Sequence, residues 1–123
     1  MLKNLADLFD YLDANLAASV REEIAALPKQ RLIDMHFGLN AHIRSLAFYR
    51  NDSPEGKSYF SELGSADEAS GVLGDMYSLH VRGEKITEEF VSNAIERHGI
   101  LYTELEQQSK AKELVESYER FVC

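Results

Sequence analysis

"KQRLIDMHFGLNAHIRSLAFY", residues 29 to 49, decides how the rest of the chain is read. Its apolar positions Leu32, Met35, Leu39, Ile43 and Leu46 step by three or four, which gathers them on one face of an α-helix. A half-buried strand would alternate apolar and polar residues instead. The 123 residues hold only two prolines, Pro28 and Pro54, and the chain is rich in Ala, Leu and Glu, which favour helix over strand. The expected fold is all-α: a compact single-domain bundle of five to six helices covering residues 1–123.

Working outward, Asn4 caps a first helix whose Leu5, Leu8, Phe9 and Leu12 share one face, with Asp7, Asp10 and Asp13 opposite. Ser19 and Glu22 match a capping box that opens a short helix through Ile24 and Leu27 and stops before Pro28. One bent helix would serve equally for this arm. After the central helix, Asn51-Asp52-Ser53-Pro54-Glu55-Gly56 is a loop by composition, and a short helical turn follows from Lys57 to Leu63, ended by Gly64. Ser65 with Glu68 forms a second capping box, opening a helix to about Val81 that buries Val72, Leu73, Met76 and Tyr77. Gly71 and Gly74 each cost that helix about 1 kcal/mol relative to Ala, so another element must come close there. Gly83 ends it, and Thr87 followed by Glu88 and Glu89 opens the next. Phe90, Ala94, Leu101 and Leu105 continue an apolar stripe toward Leu114, Val115, Tyr118, Phe121 and Val122. One helix over 88–122 would be unusually long, which predicts a break near Gly99 or Ser109.

Charge narrows the function. Thirteen basic residues stand against 21 acidic ones, a net charge of −8 that opposes phosphate backbones and anionic membranes, so neither nucleic acid nor membrane is an expected partner. No apolar run reaches bilayer length, and the acidic start MLKNLADLFDYLD does not suit a signal peptide; a soluble, cytoplasmic protein is the expectation. The single cysteine, Cys123, allows no intramolecular disulfide and no thiolate cluster. Motifs such as His-Glu-x-x-His, Glu-x-x-His, Gly-x-Ser-x-Gly and a phosphate-binding glycine loop are missing, and His36, His42, His80 and His98 show no i, i+3 or i, i+4 pair. The expectation is accordingly a protein with no catalytic residues, no cofactor and no metal. Asn51, Ser53, Glu55, Gly56 and Glu62 fall in a calcium-loop register, but the first position lacks its aspartate, Lys57 takes the seventh and Pro54 stiffens the loop, so turn formation is the preferred explanation.

Two polar sets stand out. His36, Asn40 and Arg44 lie four apart beside the central apolar stripe, where hydrogen bonding to neighbouring helices is the commoner role. Arg44 is expected to point inward and tie the central helix to a carboxylate such as Asp67. The segment from Asp52 to Asp75 is an acidic block, and Glu55, Glu62, Asp67, Glu68 and Asp75 are its candidate partner-binding residues.

The stretches "HFGLNAHIRSLAFYRND", "SYFSELG" and "ADEASGVLGDMYSLHVRGEKI" resemble a family of small bacterial helical proteins. Its pattern runs Gly-Leu, Ile-Arg-Asn, a Tyr/Phe closing a short helix, then Asp-Asp-x-Ser opening the next. Gly38, Leu39, Ile43, Arg44, Tyr59, Phe60, Asp67, Glu68, Ser70 and Gly83 occupy those places, with Ser45 where the pattern has Asn and no tryptophan anywhere. The resemblance spans roughly residues 35 to 86. It implies an immunity protein of a polymorphic or contact-dependent toxin system, binding a basic cognate toxin domain without catalysis. An acidic partner associates quickly with a basic cleft and takes the place of phosphate there. Two alternatives compete: a structural or regulatory protein that self-associates through Tyr102, Tyr118 and Phe121, and a small enzyme using His36, Asn40 and Arg44.

Overall fold

The computed structural model describes residues 2–26 and 32–122, with side chains from Gly38 onward in the second stretch. Every regular element there is helical. Seven α-helices follow one another: α1 (Leu5–Asn15), α2 (Ala18–Ala26), α3 (Leu32–Arg44), α4 (Pro54–Ser61), α5 (Ala66–Val81), α6 (Glu88–Arg97) and α7 (Glu104–Val122). The count exceeds the expected five to six because the N-terminal arm divides in two. Leu16 leaves the helix in an extended conformation (ψ 134°), and α2 restarts two residues later.

Local signals set most ends. The Asn4 side chain accepts from the Asp7 amide, Thr87 accepts from the Phe90 amide, and Ser65 and Glu68 close the full reciprocal capping box. Gly99, at φ +81°, turns the chain out of α6, so the break falls at the first of the two expected places and Ser109 lies inside α7. Two starts differ from expectation. α2 begins before Ser19, with the Val20 and Arg21 amides donating to the Ala17 carbonyl, so the Ser19–Glu22 box is not formed. α4 begins at Pro54 rather than Lys57, because Ser53 caps it through the Gly56 amide and proline suits a first helical turn.

α5 is the axis of the molecule: eleven consecutive residues, Ala69 through Leu79, are buried. α3 packs along it, α2 and α6 cover further sides, and α7 pairs with α6 and crosses α1. Such encirclement brings side chains of neighbouring elements directly onto the α5 backbone. A methyl group at Gly74 would lie 1.9 Å from Asn40 Oδ1, and one at Gly71 would lie 2.4 Å from His98 Nδ1. The two glycines thus make room for α3 and for the turn after α6, as their helix cost implied. Buried side chains from α1 through α7 join in one core, with Phe9 stacked edge-on against Tyr77, Tyr118 and Phe121.

The central helix continues past Arg44 as a wider π turn, Ser45–Tyr49, closed by the Arg50 amide on the Ser45 carbonyl at 2.7 Å. Asn51 follows, buried, its amide donating to the carbonyls of Leu2 (2.9 Å) and Ala47 (3.0 Å) while its oxygen accepts from the Ser53 amide. The calcium register is therefore spent on structure. Its first residue staples the N-terminus to the π turn, and its sixth, Gly56, sits within α4 against the Leu2 carbonyl.

Candidate partner-binding surface

The five carboxylates of the acidic block do not share one face. Asp75 is buried, its side chain only 3% exposed, and binds Arg97 and, at 2.9 Å, His98 Nε2. It anchors the turn after α6 to α5 and cannot meet a partner, which corrects its assignment as a contact residue. A helix-start pattern marks where Asp67 and Glu68 begin but carries no information on which later residue of α5 points inward. Glu68 accepts from the Ser65 amide at 2.9 Å and is engaged in its own cap. Asp67 pairs with Arg44, as the sequence indicated, but on the surface: the carboxylate is 77% exposed and the guanidinium half-buried, so the pair is not internal. Glu55 is exposed in the first turn of α4.

Glu62, just past α4, is where an acidic surface gathers. Its carboxylate receives Lys110 Nζ at 3.0 Å, and its carbonyl accepts from the Tyr102 hydroxyl. Glu113 also reaches Lys110, at 3.4 Å, and the lysine stem lies buried with the ammonium 5.5 Å from the Tyr59 ring centre. Burial raises the Tyr102 phenol above its ordinary value, and the charges of Glu62, Glu106 and Glu113 raise it further. Two carboxylates therefore share one ammonium here, and a third, Glu106, adds its charge at Tyr102, so carboxylates outnumber cations around this patch. Glu106 is held ionised by the Thr103 amide and hydroxyl, which lower its pKa. The Thr103 amide donating to the Glu106 carboxylate (2.8 Å) and the Glu106 amide donating to Thr103 Oγ1 (3.2 Å) form a further capping box, which opens α7. The Thr-x-x-Glu spacing was present in the sequence; that α7 folds back beside Glu62 was not.

A second charged cluster holds helices together. His80, on α5, reaches the Asp13 carboxylate of α1 through Nε2 (2.9 Å) and the Tyr118 hydroxyl of α7 through Nδ1 (2.8 Å), and Tyr77 donates to Asp13 at 2.9 Å. The imidazole tautomer with hydrogen on Nε2 satisfies both neighbours. Burial raises the phenols of Tyr77 and Tyr118, and Asp13 adds to both, so they keep their protons more firmly than free tyrosine, the reverse of an activated nucleophile. Beside His80 opens a cleft of about 460 Å³, whose walls carry Asp13 and Glu22 against Arg21. Residues 64 to 67 positions apart meet in this cluster, which no local spacing reports.

The described residues of the two competing assignments are packed or paired within the chain. Asn40 lies against Gly74 and Arg44 pairs with Asp67, while the His36 side chain falls outside the described residues. Tyr118 and Phe121 pack on Phe9 and His80, and Tyr102 bonds back to Glu62. Among the described residues, no three His, Cys, Asp or Glu side chains gather where they would hold a metal ion, and no helix is long and apolar enough to cross a membrane. No protein-family model, no curated protein and no solved structure matches the chain.

Proposed function

We propose that this chain is a non-enzymatic binding protein whose acidic face, formed by Glu62 with Glu106 and Glu113 and flanked by Glu55, holds a basic protein partner. The observation that supports it most is the convergence of Glu62 and Glu113 on the single buried Lys110, with Glu106 beside Tyr102, an excess of negative charge at a surface. Such a surface speeds encounter with a cationic cleft and discriminates against anionic partners. The particular form proposed is an immunity protein that neutralises a cognate bacterial toxin domain, the class to which the Gly38-to-Gly83 pattern is similar.

The test uses the protein domain encoded beside this chain in its genome. Binding is followed by stopped-flow mixing at two salt concentrations, and protection of growing cells against that domain is scored in parallel. Combined Glu62→Gln, Glu106→Gln and Glu113→Gln should lower the association rate about tenfold or more and flatten its salt dependence. Unchanged rates and full protection would refute the acidic face as the contact. Turnover of a small molecule by the purified protein would refute the non-enzymatic assignment.

A further inference from the structure

Leu101 and Leu105 continue the apolar stripe of the sequence, yet the fold leaves them outside: their exposures are 97% and 78%. They flank the corner between α6 and α7. Single exposed leucines are ordinary, but Leu101 lines a groove of about 520 Å³ together with Ile100, Tyr102, Glu96 and Glu104, and Leu105 follows Glu104 in the first turn of α7. Glu96 and Glu104 pair with no cation among the described residues. The cations on adjoining stretches are already engaged, Arg97 with Asp75 and Lys110 with Glu62 and Glu113. The next one on the stripe of Leu105 is Lys112, two turns along α7, about 10 Å away and beyond a Debye length in physiological salt.

A groove that offers apolar side chains beside two carboxylates suits a long cationic side chain, with the methylene stem on Leu101 and Tyr102 and the charged head at Glu96 and Glu104. From this complementarity we infer that the α6–α7 corner is the anchor of the interface, receiving an arginine or lysine of a basic partner protein while Leu101 and Leu105 enter an apolar depression beside it. A second copy of this chain is the poorer occupant, because a symmetric contact would set Glu96 and Glu104 against their own kind. Tyr102 joins the corner to Glu62, so the anchor and the acidic face form one continuous surface. The inference rests on the proposed function and specifies where its partner is gripped.

Two measurements test it. In the first, the whole protein is titrated with acetyl-arginine-methylamide and, separately, with its uncharged citrulline counterpart, while backbone amide resonances are followed. Saturable shifts grouped at Gly99, Ile100, Leu101 and Gln107 with the arginine compound are expected, weakened about tenfold by Glu96→Gln with Glu104→Gln and absent with citrulline. Equal shifts with citrulline, or shifts spread evenly over the acidic residues of α2 and α6, would overturn the groove. In the second, Leu101→Ser with Leu105→Ser is measured against the neighbouring-gene domain. At least a tenfold loss of affinity with an unchanged melting temperature is expected. Retained affinity in this variant and in Glu96→Gln with Glu104→Gln would overturn the inference while the proposed function stood. A localised arginine titration with no binding of that domain would instead sink the proposed function and leave a cation-binding groove. Light scattering that shows a dimer abolished by Leu101→Ser would also overturn the inference, in favour of self-contact.

Discussion

α5 and the α6–α7 corner treat apolar residues in opposite ways. α5 is buried along eleven residues, although its sequence also carries two glycines, two serines and an aspartate in that span. The corner carries two leucines on an apolar stripe and leaves both in water. What separates them is the number of neighbours rather than their composition: α5 is surrounded by α2, α3, α4 and α6, whereas the corner lies at the edge of the α6–α7 pair. A helix enclosed by others must satisfy its polar groups internally. Asp75 does so with Arg97 and His98, and Ser78 does so by donating to the Gly74 carbonyl at 2.8 Å. A corner has no such obligation, and apolar surface kept there is available for recognition.

The contrast can be broken experimentally. Leu73→Ala, at a site with no exposure, should cost about 2–5 kcal/mol, whereas Leu101→Ala should stay within about 0.5 kcal/mol; denaturant melts giving comparable losses would erase the distinction. Asp75→Ala removes the partner of Arg97 and His98. Breaking a buried pair costs about 3–5 kcal/mol, and the half-exposed Arg97 places this variant near the lower end, about 3 kcal/mol. Gly71→Ala sets a methyl group against the His98 ring and should cost about 1–3 kcal/mol; a neutral or stabilising result would mean that the ring can retreat freely.

Alkaline pH probes the same enclosed region. The phenols of Tyr77, Tyr59 and Tyr118 are raised first by burial, so the folded state keeps protons that the unfolded chain releases from about pH 10 upward. Their contribution is complete below about pH 10 and is lost as pH climbs from there toward the folded values. Tyr77→Phe forfeits the bond to Asp13, so it should melt lower at neutral pH yet lose stability less steeply above about pH 10. Parallel curves for the two proteins would contradict this. The smallest effect belongs to the surface: Arg44→Ala should lower stability by less than about 1 kcal/mol, because Asp67 is largely solvated, and a loss of several kcal/mol would show the pair to be structurally central after all.

Much of the architecture was legible because it is written in residues close together. Asn4, Thr87 and the Ser65–Glu68 box each act across three residues, and Gly64 and Gly99 mark the ends of α4 and α6 by adopting positive φ. Gly71 and Gly74 went further, announcing a close neighbour by their cost to the helix, though not that Asn40 and His98 would fill the space. The candidate surface was legible only in part. Of the acidic block, Glu62 and Asp67 remain outward, Glu68 serves its cap and Asp75 turns inward, while Glu106 and Glu113 join from α7. A charge count along the chain cannot distinguish these fates, since it does not register the direction in which each carboxylate leaves its helix or what packs against that side.

By itself, then, the amino-acid sequence determined that the chain is helical, where most helices begin and end, and that the whole is strongly acidic. Backbone hydrogen bonding and capping act within one turn, and charge sums without regard to position. Only the tertiary structure decided that Asp13, His80 and Tyr118 meet, that Asp75 disappears beneath Arg97 and His98, and that Leu101 and Leu105 remain uncovered. Each of those outcomes depends on which helices lie against one another. An apolar period states that a face prefers burial, but a neighbour must be present to bury it.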